Sequence, residues 1–119
     1  MRGFGLTVDQ MAPGVLRVAL SGELDLSRTL LLDSELHAVE ARGPEAIVID
    51  LHRLDFIDSS GLGRLLSAVR RARRGGWRLQ IVRGGVQVQR VMSLCALDRM
   101  LPLVGDADEA LMAMGVAQG

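Results

Sequence analysis

Phe56-Ile57-Asp58-Ser59-Ser60-Gly61-Leu62-Gly63 joins two segments of different character. Before it, Ala46-Ile47-Val48-Ile49-Asp50-Leu51 is a short apolar run of the kind that forms a strand buried on both faces. After it, Leu62, Leu65, Leu66 and Val69 recur at i, i+3, i+4 and i+7, the stripe of an amphipathic helix, with Arg64, Ser67, Arg71 and Arg74 on its other side. Ser59 or Ser60 therefore stands where the helix starts. The first turn of a helix carries N–H groups without partners and roughly half a positive charge, so it favours anions. A serine there is either a helix cap, worth about 1 kcal/mol, or a place where a phosphate is added and read. The residues of this stretch leave both open.

Phe4, Leu6 and Val8 alternate, Pro13-Gly14 signals a turn, and Leu16, Val18 and Leu20 alternate again, which is a hairpin pattern. Gly22 breaks the alternation, and Asp25 or Ser27 offers a cap for a helix carrying Leu32, Leu36 and Val39 up to the Gly43-Pro44 stop. The arginine-rich helix ends at Gly75-Gly76, where glycine permits a left-handed cap. Trp77, Leu79 and Ile81 form a further strand, Val88, Val91, Met92 and Cys95 a third helix, Leu103-Val104 a short edge strand, and Asp106 with Glu109 a capping box before a last helix bearing Ala110, Leu111 and Met114. The order is β-β-α-β-α-β-α-β-α. Its strand-helix-strand units require parallel pairing, and the first hairpin adds an antiparallel edge, so the sheet is mixed.

The chain has 119 residues, the size of one domain spanning 1–119, and 49% of them are hydrophobic, enough for a core without metal or disulfide support. Fourteen basic residues balance 14 acidic ones, which argues against a nucleic-acid binder. All the basic residues are arginine, the signature of a GC-rich genome, and without lysine there is no Schiff base and no phosphate-loop lysine. The single Cys95 fits a reducing compartment. Met1-Arg2-Gly3-Phe4-Gly5 lacks a signal-peptide layout and no window approaches a membrane span, so a soluble, cytoplasmic protein is expected.

Several chemistries have incomplete signatures. His37, placed mid-helix, and His52, placed in a loop, have no partner at metal-ligand spacing. Ser59 and Ser60 lack the glycine two places earlier that a hydrolase elbow requires. Gly61-Leu62-Gly63 follows a strand and opens a helix as a dinucleotide loop does, but Leu66 replaces the third glycine, and a close helix approach explains the pair equally well. Arg70, Arg71, Arg73 and Arg74 read as a solvated helix end. Asp50 at a strand end, Asp55, and Asp58 at a helix start could converge on a metal or a phosphoaspartate site, but the lysine of such a site is missing. Neither cofactor nor metal is expected.

Three segments resemble a known family. Ser21-Gly22-Glu23-Leu24-Asp25, the stretch from Ile49-Asp50-Leu51 through Phe56 to Gly63, and Val91-Met92-Ser93-Leu94-Cys95-Ala96-Leu97-Asp98 are similar to motifs of the bacterial anti-sigma-factor antagonists, which are single STAS domains. The resemblance runs from about residue 4 to residue 116. It implies a STAS fold, with a mixed, mostly parallel sheet of about five strands and about four helices largely on one side. It implies that Ser59 is a phosphoacceptor, that Asp25 and Asp58 are its acidic surroundings, and that Ser60, Gly61, Leu62 and Gly63 belong to the partner-binding loop, with Gly61 and Gly63 letting a partner approach. The implied partners are an anti-sigma factor with serine kinase activity and a serine phosphatase, with no nucleic acid, and the chain would be their substrate rather than an enzyme. The unphosphorylated form would capture the anti-sigma factor and free the sigma factor for transcription. Some STAS domains instead serve as regulatory or scaffold subunits of transport or stress-signalling complexes, without serine phosphorylation. One departure from the family pattern is Ala96, where many members carry glycine.

Overall fold

The computed structural model describes residues 3–115, so Val116, at the expected C-terminal edge of the core, lies outside them. The elements are β1 (Phe4–Ala12), β2 (Val15–Leu24), a 3-10 turn (Leu26–Arg28) leading into α1 (Thr29–Ala41), β3 (Ala46–Ile57), α2 (Ser59–Gly75), β4 (Arg78–Val82), α3 (Val86–Leu94), β5 (Leu103–Val104) and α4 (Ala107–Ala113). The strands lie side by side in chain order, β1 antiparallel to β2 and each later pair parallel. Parallel connections share one hand. Because the strand order here advances in one direction, that common hand puts every crossover helix on the same face. Leu32, Leu36 and Val39 of α1, Leu62, Leu65, Ala68, Val69 and Ala72 of α2, and Val88 and Met92 of α3 accordingly enter one core with Leu16, Val18, Leu20, Ile47, Ile49 and Ile81 of the sheet. α4 follows the last strand, crosses to nothing, and covers the opposite face, where Ala110, Leu111 and Met114 meet Val15, Ala46, Val48, Val82 and Val104.

β3 is twice the expected strand. Ala46–Ile49 are buried on both faces, between α4 and the other helices, and the strand then continues to Ile57. His52, expected in a loop, is in this strand, and Asp50 is interior to it. The continuation escapes the alternation rule because β3 carries two extra residues relative to β2, seen as register shifts between Ala19/Ser21 and between Gly22/Glu23. Each bulge resets the pleat, so Leu51, Leu54 and Ile57 point inward at intervals of three instead of two. At the first bulge the His52 N–H is taken by Asp50 Oδ1 at 2.9 Å. Gly22 likewise bends β2 without ending it: its φ is 79° and a Cβ there would strike the Gly3 carbonyl. Trp77, expected in β4, lies just before it and packs on the core beside Gly75. Gly76, at φ 84°, supplies the left-handed cap of α2.

Ala96 shows the cost of its departure. It takes φ 56°, the one non-glycine residue with positive φ among those described, and its N–H donates to the Ser93 carbonyl at 3.0 Å as the chain leaves α3. A Cβ in the left-handed region costs about 1–2 kcal/mol, part of which a glycine returns as unfolded-state entropy. Ala96→Gly is therefore expected to raise stability by about 0.5–1 kcal/mol, seen as a melting temperature a few degrees higher; an unchanged or lower value would show that the turn carries no strain.

Candidate functional site

β2 and β3 end level with each other, Leu24 opposite Ile57, and the chain turns at both ends into a helix. Asp58 ties the two turns together. Its Oδ1 accepts from the Gly61 N–H at 3.0 Å, which caps α2, and its Oδ2 accepts from the Leu26 N–H at 3.1 Å, which holds the turn before α1. Its own N–H donates to the Leu24 carbonyl at 3.2 Å, and its carbonyl accepts from Leu62 at 3.1 Å. The cap of α2 is thus Asp58, and neither Ser59 nor Ser60 is needed for it. Ser59 is exposed at the first helical position, Ser60 follows it half-buried, and neither hydroxyl has a hydrogen-bond partner among the described residues. First-turn amides have no partner within a helix, so a negative group added at Ser59 would meet free donors and the positive end of the dipole, with the Asp58 carboxylate as its opposing neighbour.

Asp25 caps the 3-10 turn. Its Oδ1 accepts from the Ser27 hydroxyl at 2.6 Å and the Ser27 N–H at 3.0 Å, and its Oδ2 from Arg28 Nη1 at 3.0 Å. The Ser27 hydroxyl bond, opposed by desolvation and aided by the Arg28 charge, holds the Asp25 carboxyl below its ordinary value. Asp25 stays ionised to lower pH than a free aspartate, and its contribution to the fold is lost only as pH falls through that depressed value.

The two glycines of the loop differ. Gly61 is buried, and a Cβ on it would lie 2.8 Å from Leu24 Cγ and 2.9 Å from Ile57 Cγ1. Its bareness lets α2 sit against the ends of β2 and β3; this is an internal approach, not the approach of a partner. Leu62 is also buried, 1% exposed, so it shapes the loop from below. Gly63 is half-buried, with open space where a Cβ would be.

Asp50 and Asp58 do not converge. Eight residues of strand and bulge separate them, roughly 25 Å of rise, and no group of three or more His, Cys, Asp or Glu side chains fit to hold a metal occurs among the described residues. Asp50 instead lines a polar cleft of about 400 Å³ on the sheet face turned away from α1–α3, with Arg17, Ser21, His52 and Arg53. There the paired Asp9 side chain, 2.9 Å from both Arg17 Nε and Nη2, raises the pKa of the guanidinium.

Two contacts of the site went unread in the sequence. Arg64 donates to Asp33 at 3.2 Å, and Arg71 Nε donates to both Glu40 oxygens at 2.8 and 3.0 Å, so α1 and α2 are bolted at two levels by residues placed above on the side of α2 away from its apolar stripe, Arg71 within the solvated helix end. The available signal was a matched spacing, seven residues between Asp33 and Glu40 and seven between Arg64 and Arg71. The exposed leucines of the 3-10 turn and α1, off the inward stripe, also went unread.

Comparison with known proteins bears on this arrangement. The family model described as Mlab, STAS domain, matches residues 7–105. An anti-sigma F factor antagonist from Paenibacillus polymyxa is 32% identical over 104 residues, covering 87% of this chain and 89% of the relative. The chain belongs to the STAS family of anti-sigma-factor antagonists. The anti-sigma-F factor antagonist RsfB of Mycobacterium tuberculosis is 31% identical over 98 residues, 82% of this chain and 80% of that one. The crystal structure of an anti-sigma factor antagonist from Mycobacterium paratuberculosis superposes with a TM-score of 0.83 at 32% identity, covering 93% of each chain. The STAS fold, the five-stranded mixed sheet and the four helices, three of them on one face, are as the resemblance implied. No helix among the described residues is long and apolar enough to cross a membrane.

The geometry separates the loop glycines experimentally. Gly63→Ala replaces a helical glycine where space is open and should stabilise by up to about 1 kcal/mol. Gly61→Ala forces a methyl against Leu24 and Ile57 and should lose that gain or destabilise by about 1–2 kcal/mol. Urea unfolding of both variants decides; equal shifts would contradict the packing described for Gly61.

Proposed function

We propose that this STAS domain is an anti-sigma-factor antagonist that switches partners through Ser59. Unphosphorylated, it binds an anti-sigma factor with serine kinase activity and so frees a sigma factor for transcription. That kinase phosphorylates Ser59, the modified protein is released, and a serine phosphatase restores it. The domain is a cytoplasmic substrate of these enzymes and catalyses nothing itself.

The observation that carries this reading is the division of labour between Asp58 and Ser59. With capping done by Asp58, the Ser59 hydroxyl is idle, exposed and mounted on a fixed helix start. Phosphorylation adds about −1.5 to −2 charges. The new group lies beside Asp58 on a surface that the partner must dehydrate, and an unpaired charge in an interface costs several kcal/mol, each 1.4 kcal/mol being tenfold in affinity. The free first-turn amides hold the phosphate without rearranging the helix, so release needs no refolding. Gly63, half-buried in the first turns of α2 with open space at its Cβ position, leaves room for close approach. The relatives named as anti-sigma factor antagonists support the partner class.

Incubation with a serine-kinase anti-sigma factor from the same genome and ATP should place one phosphate on Ser59, located by mass spectrometry. Ser59→Ala should abolish it yet keep wild-type affinity, and Ser59→Asp should bind at least about tenfold more weakly by calorimetric titration. Phosphate at another residue, or equal affinities for the Ala and Asp variants, would contradict the mechanism.

A further inference from the structure

We infer that Leu26 and Leu30 form the apolar seat of the kinase anti-sigma factor, beside the turn that carries Ser59; the inference rests on the partner-switch reading. These side chains are 70% and 82% exposed. α1 does not need them for its own packing, because Leu32, Leu36 and Val39 already fill its inward stripe. Large apolar side chains left this exposed and close together are surface that a partner can bury.

Two internal contacts locate the leucines relative to the acceptor. The Leu26 N–H is bound to Asp58 Oδ2, so Leu26 adjoins the residue preceding Ser59. The Arg64–Asp33 pair sets the level of α1 against α2. Both helices leave the same end of parallel strands and run in the same direction. Leu30 stands one turn before Asp33, as Ser60 stands one turn before Arg64, so Leu30 is level with Ser60 at the spacing of packed helices, about 8–10 Å.

The occupant follows from area. A stable protein partner covers roughly 800 Å² per side, a disc of about 16 Å radius. A kinase that brings a phosphoryl donor to the Ser59 hydroxyl centres that disc on α2's first turn, and Leu26 and Leu30 fall inside it. In the partner-switch reading the unphosphorylated form holds the kinase, whereas a phosphatase acts on the modified form and leaves, so the kinase is the occupant. An apolar ridge near the centre of the footprint is where binding energy concentrates, so the kinase presents an apolar groove to it.

The test uses the full chain with Leu26 and Leu30 both changed to serine, and Met112→Ser as control, since Met112 is 69% exposed on α4 across the sheet. Circular dichroism and melting verify folding. In calorimetric titration with the kinase, the double variant should bind roughly 30-fold or more weakly, the control should match wild type, and excess kinase should still phosphorylate Ser59. Wild-type affinity in the double variant would overturn the seat while leaving the switch standing. Loss of self-association by sedimentation, with kinase affinity unchanged, would reassign the ridge to a second copy and overturn it equally. Absence of binding by wild type itself would overturn the partner-switch reading and this inference with it.

Discussion

One carboxylate organises this site. Asp58 spends its two oxygens on two backbone amides from different turns, and its own N–H and carbonyl on Leu24 and Leu62. Charge-assisted bonds of this type are roughly twice as strong as neutral ones, and here they join the exits of β2 and β3 into a single platform. The consequence for chemistry is indirect. Because the aspartate caps the helix, the serine that follows is relieved of any structural duty. A modification on a residue that holds nothing together can change what the surface binds without loosening the fold beneath it.

The sheet puts that platform at the carboxyl ends of its parallel strands, the edge where open α/β folds gather their sites. Three features make the location workable. β3 outruns β4 by seven residues, carrying Asp58 clear of the sheet body. Gly61 lets the start of α2 rest on Leu24 and Ile57. The Arg64–Asp33 and Arg71–Glu40 pairs fix α1 against α2, so that the leucines of one helix and the serine of the other hold a constant relation. Half-buried pairs contribute modestly to stability, but they are directional, and alignment is what this surface requires.

Much of the fold could be read in the chain because its elements obey simple periodicities. The hairpin, the stripe of α2, the glycine cap at Gly76 and the capping box at Asp106, whose Oδ1 accepts from the Glu109 N–H at 2.8 Å, all rest on local rules. The second half of β3 could not be read that way, because its bulges replace a period of two by a period of three. The capping role of Asp58 was obscured by the two serines beside it, which are equally good caps in isolation; only the position of Leu26, distant in sequence, shows which residue both turns require. Gly61 and Gly63 look alike as letters and differ in what lies behind each α-carbon. Arg71 looked solvated, and Arg64 had no role assigned, because their partners sit on another helix.

Amide hydrogen exchange on Asp58→Ala, read by NMR, shows whether Asp58 holds the two turns. If one carboxylate joins the two turns, the amides of Leu26 and Gly61 lose protection together, while interior strand amides such as those of Val18 and Ile49 keep theirs. If Leu26 stays protected in the variant, the turn is held by something else, and the single platform on which Ser59 is mounted does not exist.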